Sequence, residues 1–231
     1  MTAFTVRTTS LASEKRSRGR PARSATVGTD ALLRCARQAF ARHGFEATSV
    51  REIARCAGVD SALMAHHFGS KDALWIAVVE QIAEQAVPMI AATARLRTSG
   101  LTARKRVERA LAIFIDRVFG EPDIGLFFST AATEQGDRLN VLTERLVRPY
   151  HDVFVPLLVD GIESGELTRN DPEVLYWMLV NAISKTVSYS HVLAPFSSLP
   201  QRPAAFKRAV LSTALSMLGQ AAEVPGRDAA G

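Results

Sequence analysis

The residues from Thr48 to Lys71, TSVREIARCAGVDSALMAHHFGSK, leave this 231-residue chain few ways to fold. Ser49 and Glu52 stand three apart, the spacing at which a serine accepts from an orphan amide of a first helical turn while the acid reaches back to the cap. Ile53, Ala54 and Ala57 then make a narrow apolar face, and Gly58 follows where a left-handed residue ends a helix at little steric cost. Val59 plugs the turn. Asp60 is placed to cap a second helix in which Leu63, Met64 and Phe68 recur at helical spacing, leaving Ser61, Ala62, Ala65 and His66 outward. Two short helices across a tight turn make a helix-turn-helix, whose second helix is the usual reader of a DNA major groove.

The flanking sequence supplies what two short helices lack. A helix is expected over Thr29–His43, with Leu33, Ala36 and Phe40 as its buried stripe and Gly44 as its end, completing a three-helix core with Ile53 and Phe68. Ser70 caps a longer helix from Lys71, with Leu74, Trp75, Val78, Val79 and Ile82 inward, and Pro88 should kink or end it.

The run AFARHGFEATSVREIARCAGVDSALMAHHFGSKDAL, Ala39 to Leu74, resembles the N-terminal DNA-binding domain of TetR-family transcriptional regulators. The phenylalanine, the glycine, the Thr-Ser pair, Ile-Ala, Ala-Gly-Val and Phe-x-Ser-Lys all occur at the family's spacings. Ala65 departs from the pattern, standing where the family commonly has a tyrosine or another long polar side chain that reaches DNA. The resemblance implies that Lys71 clamps a phosphate and that the last two helices pair two copies; past about residue 85 it is one of length and helical character only.

Charge is divided unevenly. Residues 1–72 hold 12 Lys and Arg against 6 Asp and Glu, while 73–231 hold 16 against 17. A basic head on a neutral body is the footprint of a polyanion-binding module. Residues 1–28, rich in Thr, Ser and Arg, read as a mobile basic arm. Within it Arg18 and Arg20 sit in a slim Arg-Gly-Arg-Pro run that fits a narrow minor groove, although indiscriminate phosphate attraction accounts for it equally. The two cysteines, Cys35 and Cys56, fall inside predicted helices, so a structural disulfide is not expected; they read as reduced helix residues, with a redox-sensing thiol as the alternative. No run reaches the ~18–20 apolar residues of a membrane span, and residues 1–30 lack an apolar signal region, so a cytoplasmic protein is expected.

Beyond the head the chain reads as five further helical segments: Leu101–Phe119, Pro122–Gln135, Asp137–Ser164 interrupted by Pro149 and Pro156, one opened by Asp171-Pro172, and Pro203 to about Gln220. The fold class is therefore all-α with about nine helices, divided as 1–28 arm, 29–72 helix-turn-helix domain, 73–222 helical effector-binding and dimerisation domain, and 223–231 flexible tail. The last two helices are apolar over more than one face, which suits either a two-fold four-helix interface or ordinary core. Phe114, Phe127, Phe128, Tyr150, Phe154 and Trp177 can line an apolar cavity with Asn181 or His151 as polar anchors, or simply pack as core.

For DNA, Thr48, Ser49 and Arg51 stand at the amino end of the first motif helix to grip phosphate, and Arg51 can also reach a guanine edge. Ser61, Ala62, Ala65 and His66 face the groove, while His67 either meets phosphate or packs beside Phe68. His43, His66 and His67 lack metal-ligand spacing, and no nucleophile elbow, P-loop or dinucleotide fingerprint occurs, so no metal, cofactor or catalysis is expected. The reading that results is a homodimeric regulator of a palindromic double-stranded operator, a repressor released by a largely apolar small-molecule effector. The alternative is a helical dimer that binds a protein or lipid-like ligand and keeps only vestigial DNA binding.

Overall fold

The computed structural model describes residues 23–219, with side chains from residue 28 onward and without that of Leu63; the arm residues Arg18 and Arg20 and the tail 223–231 lie outside the described residues. Among the described residues every regular element is helical: α1 Arg23–Ala47, α2 Val50–Ala57, α3 Ser61–Phe68, α4 Lys71–Leu96, α5 Ala103–Gly120, α6 Pro122–Ala131, α7 Asp137–Leu142, α8 Arg148–Glu163, α9 Pro172–Ser188, α10 Ser190–Leu193 and α11 Pro203–Ser216.

Helical geometry in α1 breaks at Gly44, whose φ of 73° and ψ of 177° no other residue type adopts cheaply. The break turns Phe45 inward, stacked on Phe40 with ring centres 6.0 Å apart. α2 begins without its expected side-chain cap: Ser49 has the extended backbone of a cap, but its hydroxyl makes no cap bond and the Glu52 amide donates to the Ser49 carbonyl at 3.1 Å. Gly58 ends α2 at φ 67°, and the Val59 amide reaches back to the Ala54 carbonyl at 3.0 Å, closing the tight turn of the motif. Asp60 caps α3 through the Ala62 amide at 2.8 Å, and Ser70 caps α4 through the Ala73 amide at 3.0 Å.

Leu33, Ala36, Phe40, Ile53, Met64, Leu74, Trp75 and Val78 form the sealed centre of the head. Phe68 is only half-buried, and Met64, at 1% exposure, takes the central place expected for it. The same core continues past residue 72 into the first half of α4 and takes in Phe127 and Ala131 of α6 and Leu142 of α7. A second core, between α5, α8, α9 and α11, holds the body.

The prolines act unevenly on the helices that contain them. α4 does not end at Pro88, which is exposed, as is Glu84, so the carbonyl that Pro88 cannot bond is open to solvent. The segment 137–164, expected to be interrupted by Pro149 and Pro156, is divided into α7, a π-helical turn at Thr143–Val147 and α8, the widening falling just before Pro149, while α8 runs through Pro156. By length and composition alone α4 could cross a membrane, yet Leu74, Trp75, Val78, Val79 and Ile82 on it are packed in the head core.

Candidate nucleic-acid interface

α3 is held by Met64 beneath it, and its remaining described face is open. Ser61, Ala62, Ala65 and His66, which fall on one side of a helix by their spacing, are all exposed. Small side chains there permit close approach of the helix to a groove floor and contact with thymine methyls, but offer no long bidentate donor. His67 is also exposed, and its ring meets Phe68 edge-on at 4.7 Å, so the packing role is realised while its open side stays available. Ser49 and Arg51 are exposed at the amino end of α2, where unpaired amides favour an anion. Arg55, four residues on and so on the same face as Arg51, is exposed too. It was passed over in the sequence, where the i, i+4 spacing of two arginines was the available signal.

Two expected contact residues point elsewhere. Thr48 is 3% exposed and its hydroxyl donates to the Gly44 carbonyl at 2.6 Å, so it braces the broken end of α1 rather than facing solvent. Lys71 spends its ammonium group on the same end: Nζ donates to the carbonyls of Phe45 at 2.9 Å, Glu46 at 3.2 Å and Thr48 at 3.4 Å and sits 4.4 Å from the Phe45 ring centre. The lysine thereby caps carbonyls which no helix continues to satisfy.

The head is fastened to the body by ion pairs that join distant parts of the chain. Arg37 of α1, its side chain 4% exposed, meets Glu121 and Asp123 at the start of α6, each at 2.9 Å. Arg117 completes the group by pairing with Glu121. Burial acts to raise the Glu121 carboxyl, but the hydrogen bond from Arg117 and the charges of Arg117 and Arg37 outweigh it and hold the group below the ordinary carboxylate range. On the other side Arg138 lies 3.8 Å over the Phe45 ring and reaches Asp72 at 2.9 Å and Glu46 at 3.4 Å.

Between α4, α5, α6, α8 and α9 lies an apolar cavity of about 120 Å³. Phe114, Phe128, Tyr150 and Trp177 line it, and Arg117 and Glu121 stand at its polar end. The other expected wall residues do not line it. Phe127 packs on Trp75 in the head core at 5.9 Å, and Phe154 is fully buried against Tyr150 at 5.5 Å. Asn181 gives its amide to the Trp177 carbonyl at 2.9 Å. His151 is bound outside the cavity between Asp152 at 2.9 Å and Glu173 at 2.8 Å. The Tyr150 hydroxyl is buried beside Thr93 with no hydrogen-bond partner in bonding geometry. Burial keeps this phenol protonated far above its usual range, so it remains a donor.

Comparison with known proteins places this architecture. The family described as bacterial regulatory proteins, tetR family, matches residues 32–78, from α1 into α4. The transcriptional regulator RutR of Escherichia coli K12 is 25% identical over 172 residues, covering 70% of this chain and 74% of RutR. The transcriptional repressor AcnR of Corynebacterium efficiens is 36% identical over 50 residues, covering 22% of this chain and 27% of AcnR. The crystal structure of the transcriptional regulator FadR from Bacillus subtilis in complex with stearoyl-CoA superposes with a TM-score of 0.59 at 18% identity, over 82% of this chain and 98% of that one, a likeness of fold. With its helix-turn-helix head, which the family matches over residues 32–78, and its helical body, the chain is similar to transcriptional regulators of the tetR family.

Proposed function

We propose that two copies of this chain bind a palindromic operator as a cytoplasmic repressor and leave it when a compact, mostly apolar molecule occupies the cavity behind α6. The observation that carries the DNA side is the open face of α3, Ser61, Ala62, Ala65 and His66, presented by a sealed three-helix core beside the exposed Ser49 and Arg51. In this reading residues 29–72 are the reading head and 73–222 the sensing and pairing body, and the basic arm with Arg18 and Arg20 adds affinity from the minor groove or the phosphates.

A single short helix discriminates weakly, so two heads on one frame are needed. α9 and α11 supply the surface for pairing. Val174 and Met178 are 56% and 55% exposed on α9, and Ala182, Thr186, Ala209 and Thr213 line a shallow apolar groove between the two helices, small enough for another pair of helices to approach closely. The repressor assignment follows AcnR, whose similarity covers the head.

Effector release draws on Glu121, which lies at the end of the cavity and also holds Arg37 of the DNA-binding head. A molecule that shifts Glu121 changes the seat of α1, and by linkage it must bind the DNA-bound form less well. At about 120 Å³ the cavity is close to the ~150 Å³ that accommodates a benzene ring.

Selection of bound sequences from random duplexes, followed by titration of the selected palindrome and a scrambled duplex over a salt series, tests the reading. A steep loss of affinity with salt and a strong preference for the palindrome are expected. Equal, weak binding to both duplexes would instead favour a ligand-binding dimer with vestigial DNA binding.

A further inference from the structure

We propose that Cys35 and Cys56 form a reversible oxidation site within the DNA-reading head, at which a hydroperoxide converts the two thiols into a disulfide joining α1 to α2. The pair is invisible as a pair in the sequence, where 21 positions separate its members. Folding brings the sulfurs to 2.8 Å across the α1–α2 contact, both as free thiols. A disulfide bond of ~2.0 Å therefore needs less than an ångström of further approach. Among the described residues no group of three His, Cys, Asp or Glu side chains gathers as a metal site.

The two thiols differ in a way that orders the chemistry. Cys56 is exposed and Cys35 half-buried. Burial, followed by the adjoining Cys56 thiol, pushes Cys35 up to about 11, with Arg34 offsetting only part, so Cys35 keeps its proton at neutral pH. Attack on the oxidant falls to Cys56. Its sulfur displaces the distal oxygen of a hydroperoxide, the O–O bond breaks, and a sulfenic acid and an alcohol, or water for hydrogen peroxide, are formed. The Cys35 sulfur then attacks the Cys56 sulfur; the S–S bond forms, the S–O bond breaks, and the Cys35 proton leaves with the hydroxide as water. Two thiols and one hydroperoxide thus give one disulfide, one alcohol and one water. Exposure of Cys56 also opens the disulfide to an external dithiol, which returns both thiols by exchange.

The bridge would cross the α1–α2 joint of the reading head. α2 carries Ser49 at its cap and Arg51 in its first turn, and it sets the origin of α3 through the Gly58 turn. Tying it covalently to α1 restricts the unfolded chain and stiffens the unit that presents α3.

The test uses the full chain, reduced, exposed to hydrogen peroxide and then alkylated. The wild type is expected to lose both alkylation sites as a monomer about 2 Da lighter, to melt at higher temperature than the reduced form, and to recover both thiols with dithiothreitol. Cys35→Ser should stop at a sulfenic acid on Cys56 that dimedone traps, and Cys56→Ser should leave Cys35 unmodified under the same exposure. The proposal is overturned if the wild type keeps both sites, if the only disulfide joins two chains, if oxidation leaves the melting temperature unchanged or lower, or if Cys35 in Cys56→Ser reacts as fast as the wild-type pair.

Discussion

Thr48 and Lys71 show how a polar residue in a DNA-reading motif can serve the fold. Both satisfy carbonyls at the end of α1, where Gly44 breaks the helix and leaves acceptors without successors. Arg51 has no such internal duty and is exposed. The two should therefore separate under mutation. Lys71→Met is expected to lower stability by about 1–3 kcal/mol, the cost of stranding partly buried acceptors, and to show it in a thermal melt. Arg51→Ala should leave the melt unchanged, weaken operator binding about tenfold and reduce the salt slope by about one, as read by titration at several ionic strengths. At the same scale His151 reports on pH. Its hydrogen bond to Asp152 outweighs partial burial and, with Glu173, raises the imidazole above its ordinary value of 6.5. A raised value means that the contribution to stability is complete below 6.5 and disappears as pH climbs through the folded-state value. His151→Gln should flatten that fall between about pH 6 and 9 by lowering the melting temperature on the acid side, while leaving the alkaline side as it was.

At the scale of elements the decisive joint is between α1 and α6. Arg37 reaches Glu121 and Asp123, and Thr130 of α6 donates to the Ala41 carbonyl of α1 at 3.0 Å. Gly125 belongs to the same joint from the other side. A Cβ there would run into the Ser188 hydroxyl, which donates to the Pro122 carbonyl at 2.7 Å, so glycine is what lets α6 lie against α9. One short helix thereby touches the head, the cavity and α9. Glu121→Gln should lower the melting temperature at neutral pH, because it strands Arg37 among fewer charges. The sign in acid follows from the depressed carboxyl: its stabilisation is present above the ordinary value of 4.5 and vanishes as pH drops through the lower folded value. The variant should accordingly lose less stability than the wild type on acidification below about pH 4.5, measured by melts across that range.

At the scale of the whole molecule, the proposed dimer makes operator affinity depend on two heads held at a fixed spacing, and so on the α9 and α11 surface. Val174→Glu combined with Met178→Glu places two charges on exposed positions of α9 where a folded monomer loses nothing. Sedimentation should show a monomer with an unchanged melt at low concentration, and binding to the palindrome should fall at least tenfold, towards that of a single half-site. An unaltered dimer would move the pairing surface elsewhere.

The sequence by itself determined the elements and the motif. Gly44, Gly58, Asp60, Ser70 and Asp171-Pro172 mark boundaries through interactions within a turn or two, so the three-helix head, the helical body and the family likeness were legible without coordinates. Tertiary structure decided which way the marked residues face. It turned Thr48 and Lys71 inward, moved Phe127 and Phe154 off the cavity wall, buried the Tyr150 hydroxyl without a hydrogen-bond partner in bonding geometry, and brought Arg37 to Glu121 and Cys35 to Cys56. Periodicity reports what a residue meets along its own helix. Contacts between residues tens of positions apart depend on how helices cross, and crossing is settled only when all the side chains of both cores pack at once.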